Sequence, residues 1–224
     1  MKITRRQFCH AVAALSAAAL LDGCSQQGAE RAVNADGEPM FQLKLAHNMA
    51  EDHVVHIQLS AFAQEVSEKS EGSIQIQIIP NGTLGSETDM ITQIQADGLD
   101  MAKVSASTLG NFSEQFNAFS VPCVFDSQEH YYNVMDSDLV EEIYESTENG
   151  GFRGLFWLDS GARSFYTADT PIRVPSDLKG LKIRTMDSQM AIDMMKYFGG
   201  SATVMGYSDI YTGMQQGVID GAEN

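Results

Sequence analysis

From Phe41 onward the chain switches between two periodicities. F-Q-L-K-L-A at 41–46 repeats every second residue and predicts a strand, whereas 53–70 sets Ile57, Leu59, Phe62, Ala63 and Val66 near helical spacing and predicts an amphipathic helix. Gly72 closes that helix, I-Q-I-Q-I-I at 74–79 is a second strand, and Pro80-Asn81-Gly82 is a turn. A helix capped by Ser86 or Thr88 follows, with Met90, Ile91 and Ile94 inward, and Gly98 ends it before a third strand at 99–104. Residues 127–149 predict one or two helices whose Asp136, Asp138, Glu141, Glu142, Glu145 and Glu148 form a solvated face. R-G-L-F-W-L at 153–158 predicts a buried strand, and S-F-Y-T after Arg163 predicts another. Beyond the connector punctuated by Pro171 and Pro175, strands at 181–184 and 202–205 alternate with helices at 187–198 and 208–216.

Strands separated by helices imply parallel sheets with crossover connections. One device occurs twice. T-Q-I-Q-A-D-G-L-D-M-A at 92–102 matches T-G-M-Q-Q-G-V-I-D-G-A at 212–222 by residue class: a helix exit, an apolar residue, an Asp and an Ala. A duplicated α/β unit flanking a crevice is the plan of a two-lobed ligand trap.

The first residues have a different character. Lys2, Arg5 and Arg6 precede the apolar run 11–21, then Gly23-Cys24, which is the layout of an export signal; the run is shorter than the ~20 residues of a spanning helix. T-R-R-Q-F at 4–8 looks like a twin-arginine motif, and L-D-G-C at 21–24 like a lipoprotein box with Cys24 as the acylated residue. The expected parts are therefore a signal at 1–23 and a polar tether at 24–40. With Cys9 cleaved away and Cys24 acylated, Cys123 in S-V-P-C-V-F has no disulfide partner and reads as a small buried apolar residue.

Composition narrows the class. The protein has 224 residues, 14 basic and 30 acidic, net −16. Cleavage before Cys24 removes Lys2, Arg5, Arg6 and Asp22 and takes the charge to −18. Such a surface repels phosphate backbones, so nucleic acid is not an expected partner. Ser176 and Lys179 fit an S-x-x-K spacing, but without partner motifs Pro175-Ser176-Asp177 reads as a capped turn; no catalytic signature is present and no enzyme activity is expected. No cofactor is expected either. Met186, Met190, Met194, Met195 and Met205 read as core filling. His47, His53 and His56 form the one rival constellation, a zinc site of an extracytoplasmic metal-binding protein.

Several stretches together resemble a known family: P-N-G-T-L-G-S-E at 80–87, the Gly98-Leu99-Asp100 helix exit, S-G-A-R at 160–163, D-L-K-G-L-K-I-R at 177–184 and M-G-Y-S-D-I-Y-T-G-M-Q-Q-G-V-I-D-G-A-E-N at 205–224. Their order and spacing resemble the extracytoplasmic solute-binding subunit of tripartite ATP-independent periplasmic (TRAP) transporters, the DctP family, over essentially all of 41–224. The resemblance implies an α/β, two-lobed, periplasmic-binding-protein-like fold of type II-like plan, hinged about a ligand cleft. Lobe 1 is expected at 41–160 and lobe 2 at 161–224. Relatives continue well past the position of Asn224, so lobe 2 is expected to be incomplete at its C-terminal end. The implied function is capture of a small organic acid and delivery to TRAP permease membrane subunits by a monomeric receptor, tethered by lipid at Cys24. A sugar acid of the hexuronate type is the first expectation and a C4-dicarboxylate the second.

The residues agree with that reading. Arg184 ends an alternating strand, so its planar guanidinium can emerge beside the next helix start and donate two parallel hydrogen bonds to a carboxylate; the resemblance gives it that role. Arg163, beside Gly161, matches a second ligand-contacting arginine, Asn224 a ligand-binding asparagine and Tyr207 a stacking aromatic. Asn48, Glu87, Ser105 and Ser107, with His47 adjacent, are lobe-1 candidates for ligand hydroxyls. The net negative charge does not forbid an anionic ligand, because distant charges are screened over about 8 Å while a desolvated arginine acts at contact.

Overall fold

The computed structural model describes residues 38–224. The expected signal at 1–23, Cys24 and most of the expected tether lie outside the described residues. Two parallel sheets are built by the same rule. In the first, β1 (Phe41–Ala46) lies between β2 (Ile74–Ile79) and β3 (Met101–Ala102), with α1 (Val54–Lys69) and α2 (Glu87–Gln95) as crossovers. In the second, β5 (Lys182–Thr185) lies between β6 (Ser201–Val204) and β7 (Gly221–Glu223), with α6 (Gln189–Phe198) and α7 (Ile210–Gln215) as crossovers. Each central strand is the first of its unit. A further strand, β4 (Phe165–Thr167), runs antiparallel along β7 and closes the second sheet's edge.

Local sequence explains these elements. Along β2, Gln75 and Gln77 are exposed while the intervening isoleucines are half-buried, as a sheet covered on one face requires. On α1, Val55 and Leu59 lie one helical turn apart and are buried with Leu45 and Met49; Ile57, read from the sequence as inward, is instead 57% exposed. Ser86 caps α2 through a reciprocal pair: Asp89 N–H donates to Ser86 Oγ, and Ser86 N–H to Asp89 Oδ2. The Ser86 hydroxyl, which donates to Asp89 Oδ2 (2.7 Å), and then the Ser86 N–H hold the Asp89 carboxyl below its ordinary range.

The duplicated motif at 92–102 and 212–222 is a duplicated structure. Asp97 and Gly217 take left-handed φ at the two helix exits. Three residues on, Asp100 Oδ2 accepts the Lys44 N–H (2.8 Å) and Asp220 Oδ2 the Lys182 N–H (2.7 Å). Each aspartate thus fastens the third strand of its unit to the first.

Between the units run α3 (Ala106–Leu109), α4 (Gln128–Met135) and α5 (Asp138–Ser146), with 3-10 turns at Glu114–Ser120 and Thr147–Gly150. Val140, Ile143 and Tyr144 of α5 bury against Phe116, while the acidic residues of α4 and α5 face solvent as expected. Two expectations fail in this region. Residues 153–158 form no strand: Trp157 packs on the helical cluster, Leu158 on the first-sheet cluster, and Leu155 is 60% exposed. An apolar run supplies strand propensity, but here consecutive side chains are drawn to two different clusters instead of one sheet face. Cys123 is exposed, not buried, and sits at φ +57° in an irregular segment. The third strand is also shorter than 99–104, because β3 meets only Leu45 and Ala46, followed by one further bond from Lys103 N–H to Ala46 O.

Candidate functional site

The carboxyl ends of the two sheets face one another. Thr88 at the start of α2 donates to Asp187 Oδ2 across the gap (2.8 Å), and Asn111 Nδ2 donates to the Asp187 carbonyl (2.8 Å). Tyr207 packs against Leu45, Met49, Val55 and Leu59 on one side and Ile210, Ile219 and Ala222 on the other. In open parallel sheets this is where ligands bind.

On the second sheet, Arg184 is 3% exposed; its Nε donates to Met205 O (2.8 Å) and its Nη1 reaches Glu223 O (3.4 Å). Its Nη2 donates no hydrogen bond among the described residues. Arg163, at the entry to β4, gives Nε (2.8 Å) and Nη2 to Glu223 Oε2, and Nη2 also reaches the Glu223 carbonyl (3.2 Å). The two guanidinium groups therefore converge on one carbonyl oxygen. Burial pulls the Arg184 group down from its ordinary range; Glu223 opposes that and Arg163 adds to it. Asn224 follows Glu223 and is held by backbone pairing with Ser164 on both sides (2.8 and 3.0 Å), its side chain exposed.

On the first sheet, Glu87 is the hub. Its Oε1 accepts from Asn48 Nδ2 (3.2 Å) and Ser105 Oγ (3.0 Å), and its Oε2 from Thr108 Oγ1 (2.9 Å). Lys103 Nζ stands 3.9 Å from Oε1. Burial pulls the Lys103 ammonium down, Glu87 resists, and Arg163 across the gap lowers it further, so the two cation sets share one field. Three buried polar atoms near the strand ends have no hydrogen-bond partner among the described residues: Asn48 Oδ1, Thr185 Oγ1 and Glu223 Oε1. Buried polar atoms are rarely left so in a folded protein.

The sequence-predicted residues divide accordingly. Arg184, Arg163, Asn224, Tyr207, Asn48, Glu87 and Ser105 are brought to the facing strand ends. Ser107 is not joined to the Glu87 hub; its Oγ pairs with Ser120 Oγ (2.9 Å) toward the helical segment. His47 is fully buried, and both of its ring nitrogens are used: Nδ1 accepts from Met49 N–H (3.1 Å), so Nε2 carries the proton shared with His56 Nδ1 (3.0 Å). Burial first, then the fields of His56, Lys103 and His53, bring its pKa down to about 4. His53 meanwhile caps α1 through Nδ1. The zinc reading is therefore corrected: among the described residues no three His, Cys, Asp or Glu side chains are placed to hold a metal ion. Lys103 lies in none of the motifs read from the sequence, and Glu223 lies in the D-G-A-E-N stretch without being singled out; extending the internal repeat by one residue places the two at equivalent positions. A surface depression lined by Phe112, Ser113, Glu114 and Asn149 lies on the helical segment and gathers no cation.

The family profile of bacterial extracellular solute-binding proteins, family 7 (DctP), matches residues 45–224. The chain belongs to this family. It is 41% identical to the uncharacterized protein YiiZ of Salmonella typhimurium over 84% of this chain and 57% of that protein. Its fold matches a TRAP periplasmic solute-binding protein from Anaerococcus prevotii with bound α/β-D-glucuronate: TM-score 0.80, 41% identity, 82% of this chain and 60% of the other. It also matches one from Bradyrhizobium sp. BTAi1 in complex with α/β-D-galacturonate: TM-score 0.79, 36% identity, 82% and 61%. The chain thus spans about three fifths of the length of these DctP-family proteins.

Proposed function

We propose that the protein is an extracytoplasmic receptor that takes up a small organic acid between two lobes, 41–160 and 161–224, and delivers it to the membrane subunits of a TRAP permease. It performs no chemistry on its ligand. The reading includes an export signal at 1–23, a lipid tether at Cys24 and a monomeric receptor; among the described residues no helix is long and apolar enough to cross a membrane. Ligand bridging the lobes favours their closed arrangement by its differential affinity for that state.

The observation that carries the proposal is the convergence of Arg163 and Arg184 on Glu223 O, with Nη2 of the buried Arg184 making no hydrogen bond among the described residues. Glu223 holds Arg163 in place and absorbs its charge. Charge balance then favours the ligand class: Lys103, Arg163 and Arg184 face Glu87 and Glu223, leaving one positive charge for one carboxylate. A monoanionic sugar acid of the hexuronate type fits that balance, and the glucuronate and galacturonate held by the two similar structures support it. A C4-dicarboxylate brings a second negative charge beside Glu87 and Glu223 and is the second choice.

Calorimetry with D-glucuronate, D-galacturonate and succinate tests this. Arg184→Ala is expected to abolish measurable binding. Arg184→Lys, which keeps the charge and loses the planar fork, is expected to weaken it roughly 100-fold with an unchanged far-ultraviolet spectrum. Near-native affinity in either variant removes the carboxylate clamp.

A further inference from the structure

Lys103 is a mostly buried cation at the facing strand ends with no hydrogen-bonded carboxylate. It follows β3, its side chain is 11% exposed, and its nearest carboxylate oxygen is 3.9 Å away, beyond hydrogen-bonding distance. Its ammonium donates no hydrogen bond among the described residues. Its three donors are thus unspent among these residues, and the residual exposure leaves the nitrogen open to water or to a ligand. Here Glu87 cannot take them at full strength, because Asn48, Ser105 and Thr108 already converge on its two oxygens.

Asn48 supplies the complement. The Glu87 carboxylate only accepts, so the amide nitrogen must face it, and this fixes Oδ1 as the free acceptor. Oδ1 is buried and unpartnered. The Lys103 ammonium and the amide that carries this unspent acceptor thus approach the same Glu87 oxygen.

We infer that Lys103 and Asn48 together read one hydroxyl group of the ligand, at the end away from its Arg184-bound carboxylate. The inference rests on the receptor reading and deepens it. A hydroxyl accepts from Lys103 and donates to Asn48 Oδ1, spending both groups. A second carboxylate has no proton to donate, leaves Oδ1 unpaired and sets a second negative group beside Glu87. The pair is therefore a device for selecting hydroxylated acids against unsubstituted diacids.

The test is calorimetry of the wild type, Lys103→Met and the charge-neutral double variant Lys103→Met/Glu87→Gln, each titrated with D-glucuronate and its monodeoxy analogues. The wild type is expected to lose roughly 10- to 100-fold in affinity for one deoxy analogue. Lys103→Met is expected to lose about as much for D-glucuronate itself and to bind that analogue and the parent within about threefold of each other. Should Lys103→Met fail to fold because Glu87 is left uncompensated, the double variant gives the same comparison. Undiminished D-glucuronate affinity in the lysine variants overturns the inference and leaves the receptor standing, provided Arg184→Lys is weak. Loss of affinity with the deoxy discrimination intact also overturns it, since the lysine then acts only through its field. No heat from the wild type with any sugar acid or succinate overturns the receptor reading itself.

Discussion

The two βαβαβ units have one frame and opposite chemistry. In both, the first strand is central, the helix exit is left-handed, and an aspartate ties the third strand to a lysine amide of the first. Register makes the units comparable position by position: Ala46 pairs with Ala102 as Arg184 pairs with Ala222. The position of Arg184 in the second unit is thus held by a small apolar residue in the first, Ala46, sealed at 0% exposure. One step past the third strand's alanine, the first unit carries the cation Lys103 and the second the anion Glu223. The lesson is that the frame is set by backbone bonds that leave these side chains free to vary. Duplication can then split a site into a half that grips charge and a half that reads hydroxyls.

The sharpest structural difference is β4, which covers the edge of β7 while the edge of β3 has no such cover among the described residues. At the paired positions the first unit has Met101 and the second Gly221. A Cβ on Gly221 would collide with the Tyr166 carbonyl oxygen and lie 2.6 Å from Thr167 Cγ2. Gly221→Ala is therefore expected to force β4 away and cost roughly 2–4 kcal/mol of stability. It would also displace Arg163, which leads into β4. A denaturation midpoint within error of wild type would show that the edge pairing is dispensable and that the units differ less than the register implies.

What can be read from sequence follows the same division. Frame residues are legible because alternation and helix exits are local: Gln75 and Gln77 point outward whatever else the fold does, and the two Asp-containing exits announce themselves by repeating. The Arg184 position is legible because alternation along β5 sets the direction of its side chain. What fails depends on distant partners. Residues 153–158 have strand composition but divide their side chains between two clusters and form no strand, the apolar neighbours of Cys123 suggest a burial that its irregular backbone does not give, and Ser107 lies near Ser105 in sequence although its partner is Ser120. His47 follows the first strand as Thr185 follows Arg184, and only its pairing with His56 turns it from ligand candidate to core. Lys103 needs the repeat carried one residue further, which also aligns it with Glu223 of the D-G-A-E-N stretch.

His47 also makes the units differ in their response to acid. Its register counterpart is Thr185, which does not titrate in this range. The His47 pKa is lowered from 6.5 to about 4, so the unfolded state binds the proton more readily than the folded one. That contribution to stability is complete above about pH 6.5 and falls as the pH drops toward 4. Between pH 7 and pH 5 the loss should be on the order of 1–2 kcal/mol. His47→Asn keeps an acceptor for the Met49 amide and does not titrate; subtracting its stability profile from the wild type's should leave only this component. Parallel profiles over that interval would mean that protonated His47 is accommodated without penalty.

The smallest effect asks whether the shared frame is energetically shared. Asp100 and Asp220 each accept one strand amide at nearly equal distance, and both bonds are solvent-accessible. Asp100→Ala and Asp220→Ala should each cost about 1 kcal/mol, the worth of a charge-assisted bond in contact with water. The Asn variants, which keep an acceptor oxygen, should recover most of it. Equal losses within about 0.5 kcal/mol are expected if the geometry alone sets the value. A markedly larger loss at Asp220 would instead tie that bond to β4 and Glu223, since Asp220 immediately precedes the strand that holds Arg163 in place, whereas β3 supports only Lys103.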